Sequence, residues 1–142
     1  MIIRRATPDD ALDVLNWRND PLTRSMSLTQ DEVEEQAHVA WFARVLGEAA
    51  ITLLIGEVDG EKVGMVRFDR GDATEVSINI NPACRGRGLG HQLLADAMAW
   101  APGDLVAVIK DENLASRRLF EGAGFQLQET ADGVGRYIRR PG

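Results

Sequence analysis

The chain predicts an α+β fold, a single domain over residues 1–142 with one mixed, mostly antiparallel central sheet flanked by about four helices. Three observations predict it. After one short strand the apolar spacing is helical. It switches to strand-like alternation between Ile51 and Asn81, then changes back and forth to the C-terminus. Turn signals at Asp59-Gly60, Arg70-Gly71-Asp72 and Asp132-Gly133 fold neighbouring strands into antiparallel pairs. A strand, helix, strand passage after Thr74 requires one crossover and therefore one parallel pair.

Taken in order, Met1–Ala6 reads as a strand. Thr7-Pro8-Asp9-Asp10 then starts a helix, with Thr7 as cap, Pro8 in the first turn and two acids at the positive end, running to about Asn19 before Asp20-Pro21. Thr29-Gln-Asp-Glu32 forms a capping box ahead of a stripe of Val33, Ala37, Ala40, Trp41 and Val45 that stops at Gly47. Ile51–Val58, Val63–Phe68 and Thr74–Asn81 make a three-strand meander closed by Pro82. Leu89–Trp100 is a helix with Leu93, Leu94 and Met98 inward, ended by Pro102-Gly103. Leu105–Ile109 is a buried strand and Asn113–Glu121 a helix. Phe125–Leu127 and Tyr137-Ile138 are strands about the last turn. The order is β-α-α-β-β-β-α-β-α-β-β.

A chain of 142 residues with 44% apolar and 27% charged residues is an ordinary globular composition, long enough for one core. The N-terminus lacks the long apolar stretch of a signal peptide, and no window is apolar enough to span a membrane, so a cytoplasmic location is the expectation. Sixteen Lys and Arg against 22 Asp and Glu give a formal charge of −6, which opposes non-specific nucleic-acid or membrane binding. Cys84 is the only cysteine and His38 and His91 are far apart in sequence, so neither a disulfide nor a zinc site is expected.

The most informative stretch is Asn81-Pro-Ala-Cys-Arg85-Gly86-Arg87-Gly88-Leu89-Gly90-His91, which joins a strand to a helix through three alternate glycines. Glycine permits close backbone approach, and free N–H groups at a helix start can surround a phosphate, so the stretch suits a pyrophosphate. No Gly-Lys-Ser/Thr follows, which excludes a Walker loop. His91 stands where a dinucleotide fingerprint needs its last glycine.

Arg85-x-x-Gly88-x-Gly90 after a strand, followed by Asn113-Leu-Ala-Ser116-Arg-Arg-Leu-Phe120-Glu-Gly-Ala-Gly124-Phe125, resembles the two signature blocks of the GNAT family of N-acetyltransferases. The element order and length of the whole chain are also similar to that family. The resemblance implies that acetyl-CoA enters a gap between two splayed parallel strands, Thr74–Asn81 and Leu105–Ile109. It implies that Ile78, Asn79 and Ile80 hold the pantetheine arm through backbone groups. N–H groups of Gly86, Arg87, Gly88, Leu89, Gly90 and His91, with Arg85, would take the pyrophosphate, and Asn113, Ser116 and Phe120 would contact the arm further along. Arg117 and Arg118 could reach phosphates or simply form a solvated helix face. No metal is expected.

Alternation along the third meander strand puts Glu75, Ser77, Asn79 and Asn81 on one face, which makes Glu75 the general-base candidate, in competition with an ion pair to Arg67 or Arg70. An N–H near Ile78–Asn81 would be the oxyanion donor. The family often carries a tyrosine acid where Phe120 stands. Tyr137, on the terminal hairpin, is the substitute candidate. Cys84 is read as a small buried side chain rather than a nucleophile.

Trp17-Arg18-Asn19-Asp20-Pro21 and His38-Val-Ala-Trp41-Phe42 resemble segments of the subgroup that acetylates amino sugars on nucleotide carriers, the pseudaminic-acid type. The acceptor residues implied are Arg18, Asn19, His38 and Trp41, with a sugar ring stacked on Trp41 and Arg18 on a diphosphate. Competing with this are a core role for the aromatics, a protein N-terminal or small-molecule amine as acceptor, and a non-catalytic acyl-CoA sensor. The expected partner is a small-molecule amine, with no nucleic acid and no membrane and with room for a homodimer.

Overall fold

The computed structural model describes residues 1–28 and 31–141. Its elements are β1 (Ile2–Arg5), a 3-10 turn at Pro8–Asp10, α1 (Ala11–Asn19), α2 (Pro21–Met26), α3 (Glu35–Leu46), β2 (Ile51–Val58), β3 (Glu61–Asp69), β4 (Thr74–Ile80), a second 3-10 turn at Pro82–Cys84, α4 (Leu89–Met98), β5 (Leu105–Lys110), α5 (Leu114–Gly122), β6 (Gln126–Ala131) and β7 (Val134–Arg139). The strands form one seven-stranded sheet in the order β1-β2-β3-β4-β5-β7-β6, antiparallel throughout except for the β4–β5 pair. The α+β fold class and the single parallel pair are therefore as the periodicity predicts.

Alternation along the strands sorts the apolar side chains into two layers. Leu54, Val66, Phe68, Val76, Leu105 and Ala107 meet Leu93, Leu94 and Ala97 of α4 and Leu119 and Phe120 of α5 on one face. Leu53, Ile55 and Met65 meet Val14 and Trp17 of α1 and Phe42 and Val45 of α3 on the other. Gly56 of β2 lets α4 lie close, since a Cβ there would stand 2.4 Å from a Leu93 methyl. Among the described residues no helix is long and apolar enough to cross a membrane.

At the start of α1, buried Asp10 accepts from the Thr7 backbone N–H at 2.8 Å and from Arg4 at 2.8 and 2.9 Å, and Lys62 of β3 lies 2.7 Å away. Burial alone would raise the carboxyl's pKa. The bonds from Arg4, Lys62 and Thr7 outweigh it and hold Asp10 well below the usual carboxylate range.

The structure departs from expectation in four places. Asp20-Pro21 ends α1 but also begins α2, because the Asp20 carboxylate caps it, accepting from the Thr23 N–H at 3.1 Å, and Pro21 takes the first helical position. α3 starts at Glu35 rather than Val33, behind Glu34; Thr29 and Gln30 of the expected capping box lie outside the described residues. α4 ends at Met98, two residues short of Trp100. β6 and β7 are longer than expected, and β6 is exposed at every position, so no burial period marks it.

Candidate active site

β4 and β5 are paired only at Thr74↔Leu105 and Glu75↔Val106. Beyond that point β4 continues along β3 and β5 along β7, so the two strands part and leave a cleft of about 990 Å³. Its walls are Val76–Ile80 of β4 and residues 107–110 of β5. Its ends are closed by the glycine-rich loop, the start of α5, and Leu22, Thr23 and Met26 of α2.

The loop takes its shape from its capping groups. The Asn81 side-chain Oδ1 accepts from the Ala83 N–H at 3.0 Å, and its Nδ2 donates to the Lys62 carbonyl at 2.9 Å, which turns the chain out of β4. Gly86 and Gly88 have φ of 77° and 72°, the left-handed region that favours glycine, and Gly88 is the residue from which α4 starts. A Cβ added at either meets nothing within 4 Å, so both border open space. The N–H groups of the first turn, at Leu89, Gly90 and His91, lie beyond the reach of intrahelical carbonyls and are the natural seat of an anion. The Arg85 guanidinium is bonded to the Asp20 carboxylate and, at 3.0 Å, to the Thr23 hydroxyl. The Arg87 side chain turns away from the cleft to Glu61 at 2.8 Å.

On β4, the Asn81 N–H donates to the Val63 carbonyl at 2.8 Å. The alternation of an antiparallel ladder then spends the backbone groups of Asn79, Ser77 and Glu75 on β3 and turns those of Val76, Ile78 and Ile80 toward the cleft. This corrects the expectation for Asn79, whose backbone faces the neighbouring strand. What Asn79 contributes is a side chain, and its Oδ1 is buried without a partner among the described residues. Glu75 stands where the strands part, exposed. Neither expected competitor takes it, since Arg67 pairs with Asp69 and Arg70 donates to the Thr52 hydroxyl at 2.7 Å.

Asn113 caps α5, its Oδ1 accepting from the Ser116 N–H at 3.2 Å, and both residues line the cleft with Phe120 and Arg118. Phe120 packs edge-on against Phe125 with ring centroids 5.0 Å apart. Tyr137 is 2% exposed and its hydroxyl accepts from Arg117 Nε at 3.1 Å, away from the cleft lining. That corrects the acid candidate. Arg117 also donates to the Asp111 carbonyl at 3.0 Å, which commits it to bracing the hairpin rather than to phosphates. Cys84 is buried, and burial with the nearby Glu61 charge pushes its thiol pKa up, against any role as a nucleophile.

The predicted acceptor residues separate. Asn19 clips Val33, donating to its carbonyl and accepting from its N–H, both at 2.8 Å, and takes no part in the cleft. His38 is buried, with Nε2 2.8 Å from the Ala11 carbonyl and Nδ1 3.1 Å from Arg18 Nη1. The Nε2–H must donate to that carbonyl, so the neutral Nδ1 accepts from the guanidinium. His38 therefore positions Arg18 and does not itself face a ligand. Arg18 lies over the half-exposed Trp41 ring, 5.0 Å from its centroid, and Arg67 of β3 lies over the same ring at 5.3 Å. Phe42, by contrast, is core. Sequence reasoning assigned Arg67 no ligand role, although the alternation that selects Ser77 also puts Arg67 opposite it.

Comparison with known proteins follows the same lines. A family model described as an acetyltransferase (GNAT) domain matches residues 1–126. YwnH of Bacillus subtilis, provisionally named a phosphinothricin acetyltransferase, is 47% identical over 137 residues, covering 88% of this chain and 83% of its own. MnaT of Escherichia coli, named an L-amino acid N-acyltransferase, is 28% identical over 157 residues, covering 97% and 89%. Among solved structures, the spermidine N-acetyltransferase of Vibrio cholerae with CoA and spermine has a TM-score of 0.86 at 16% identity, covering 98% of this chain and 94% of that one, a likeness of fold. The splayed strands, the glycine loop at the start of α4 and the family match over 126 residues agree, and the chain belongs to the GNAT acetyltransferase family.

Proposed function

We propose that the protein moves the acetyl group of acetyl-CoA to the primary amine of a small acceptor carrying an anionic group, of the amino-acid class. The observation that carries the reading is the parting of β4 and β5 over a glycine loop. It leaves a strand edge, at Ile78 and Ile80, free to receive an extended amide-bearing arm, and an N-terminal helix turn free to receive a pyrophosphate. Bound there, acetyl-CoA supplies an acetyl group activated as a thioester.

The remaining work belongs to this chain's residues. N–H groups from Gly86 to His91 seat the pyrophosphate, and Arg85 and Arg118 at the cleft add positive charge. An N–H of Ile78 or Ile80 polarises the carbonyl and steadies the negative oxygen that forms on attack. Glu75 takes the proton of the attacking amine, directly or through water. Phe120 has no proton to give and Tyr137 is held by Arg117, so the thiol leaves as thiolate. A group with a pKa near the roughly 8.5 of a cysteine does so without strong acid help.

The names of YwnH and MnaT support a compact amino-acid-like acceptor. A nucleotide-linked amino sugar is the second reading, favoured by the Arg18 guanidinium over Trp41, where a ring could stack and a diphosphate be met. The test is acetyl-CoA-dependent thiol release across free amino acids, phosphinothricin, nucleotide-linked 4-amino sugars, N-terminal peptides and polyamines. Release with the amino-acid class is expected. Tight coenzyme binding with no release from any amine would overturn the enzyme reading in favour of a sensor. Glu75→Gln should lower kcat by about a hundredfold, most at low pH, with the Kd for acetyl-CoA unchanged. An unaltered pH–rate profile would remove Glu75 as base.

A further inference from the structure

Arg18 and Arg67 make an unusual pair. Both guanidinium groups lie over one indole. Among the described residues Asp69 is the acid paired with Arg67, and Arg18 has no carboxylate within ion-pair distance. Arg18 is held instead by the neutral Nδ1 of His38, whose other nitrogen is fixed on the Ala11 carbonyl, so its orientation is set while its charge is left unanswered. Burial and the Arg67 charge both lower the Arg18 pKa. Two cations with one acid, brought together over the Trp41 ring and half-exposed to solvent, are stabilised when an anion joins them.

The place of Arg67 in the sheet says how far that anion lies from the cleft. Arg67 is opposite Ser77 in the β3–β4 register, on the face that also carries Glu75 and Asn79, and Asn79 Oδ1 is buried there without a partner among the described residues. Adjacent strands lie about 4.8 Å apart, so Arg67 is one strand removed from the β4 wall of the cleft, and Arg18 meets it over Trp41. An acceptor whose amine reaches that wall and whose anion meets the arginines is compact.

We propose that Arg18 and Arg67, set over Trp41, form the acceptor-anion clamp of this enzyme and take a carboxylate or a phosphinate oxygen pair on the same small molecule that carries the reacting amine. The inference rests on the acetyltransferase reading and deepens it by naming the residues that hold the acceptor's anion. Arg18 and Arg67 bind and orient. The base and the oxyanion donor lie elsewhere, on β4.

The experiment compares methionine and phosphinothricin with methionine amide, in wild type, Arg67→Gln and Arg18→Gln, each checked for an unchanged melting temperature. Wild type should prefer the free acids to the amide by about tenfold or more in kcat/KM. Each variant should raise the KM for the free acids by about tenfold, leave the KM for acetyl-CoA and the kcat at saturation nearly unchanged, and bring acid and amide together. Arg67→Lys, which keeps charge but loses the planar fork, should recover part of the loss. Equal use of acid and amide by wild type, or folded variants with unaltered acceptor KM, would overturn the clamp while leaving the acetyltransferase reading intact. A binding readout separates the two failures. Methionine should raise the melting temperature of wild type and methionine amide should not, and Arg67→Gln should abolish the difference. Thiol release absent with every amine, beside a surviving methionine shift, would overturn the acetyltransferase reading alone, and absence of the shift overturns the clamp.

Discussion

His38 shows how one residue can serve a site without entering it. Burial lowers its pKa, the bond to the Ala11 carbonyl opposes that, and the facing Arg18 charge lowers it again; the outcome is a shift downward from 6.5. A histidine kept neutral in the fold binds fewer protons than the unfolded chain. Its contribution to stability is then fully present above about pH 6.5 and is lost as pH falls through the depressed value. Protonation places an N–H on Nδ1 against the Arg18 guanidinium, so acid should both loosen the α1–α3 contact and displace Arg18. We expect His38→Gln, whose amide can still donate to Ala11 and accept from Arg18, to cost about 1 kcal/mol near neutral pH and to flatten the loss of stability between about pH 7 and about pH 5. Denaturant midpoints across that range check it, and parallel curves for the two proteins would assign the acid sensitivity to other groups. The grouping of Arg18, His38 and Trp41 was legible in the sequence. Their separate duties were not, because which nitrogen of His38 meets which partner depends on how α1 and α3 cross.

The glycine-rich turn before α4 was legible because its signal is local: positive φ at Gly86 and Gly88 calls for glycine wherever the chain must turn from strand to helix so tightly. Gly88→Ala should therefore cost roughly 1–2 kcal/mol of stability and weaken acetyl-CoA binding by about tenfold or more. Gly90, helical and with the nearest neighbour of an added Cβ at 3.5 Å, makes the contrast. Gly90→Ala should hold or slightly raise the melting temperature, by the helix propensity of alanine, while weakening coenzyme binding, because its N–H must approach the pyrophosphate closely. Calorimetric titration with acetyl-CoA beside a melting curve separates the two cases; wild-type affinity in Gly90→Ala would place the phosphates elsewhere. Elements with weaker local signals were read less well. α2 is hard to read because Asp20-Pro21, which carries the same cap-then-proline sign as Thr7-Pro8, follows a helix directly, where proline equally signals a stop. The length of β6 is not legible, because an edge strand exposed at every position offers no burial period to read.

At the scale of the whole molecule, the formal charge of −6 argues against an anionic partner, yet Arg85 and Arg118 line the cleft and Arg18 and Arg67 meet over Trp41. One tie spans these parts. Asp20, at the head of α2, is bonded to Arg85 of the loop 65 residues later, and α2 itself forms part of the cleft wall. Asp20 has two tasks, since it also caps α2 through the Thr23 N–H and hydroxyl at 3.1 and 3.2 Å. Asp20→Asn keeps an oxygen for the cap and removes the charge, so it isolates the tie. Arg85 is then freed to meet a pyrophosphate without first giving up a carboxylate, while α2 loses its anchor at the cleft wall. An exposed ion pair of this kind is worth up to about 1 kcal/mol, so the Kd for acetyl-CoA should fall by about threefold to fivefold in Asp20→Asn while the acceptor KM rises. Arg85→Ala should move the Kd the other way, by about tenfold. Opposite shifts in the two variants would make Arg85 a residue shared between the free enzyme's α2 and the coenzyme. Equal weakening in both would mean that the tie persists with coenzyme bound and that Asp20 holds Arg85 in its binding position. No change in Arg85→Ala would take Arg85 out of the pyrophosphate site and leave that task to the loop's N–H groups.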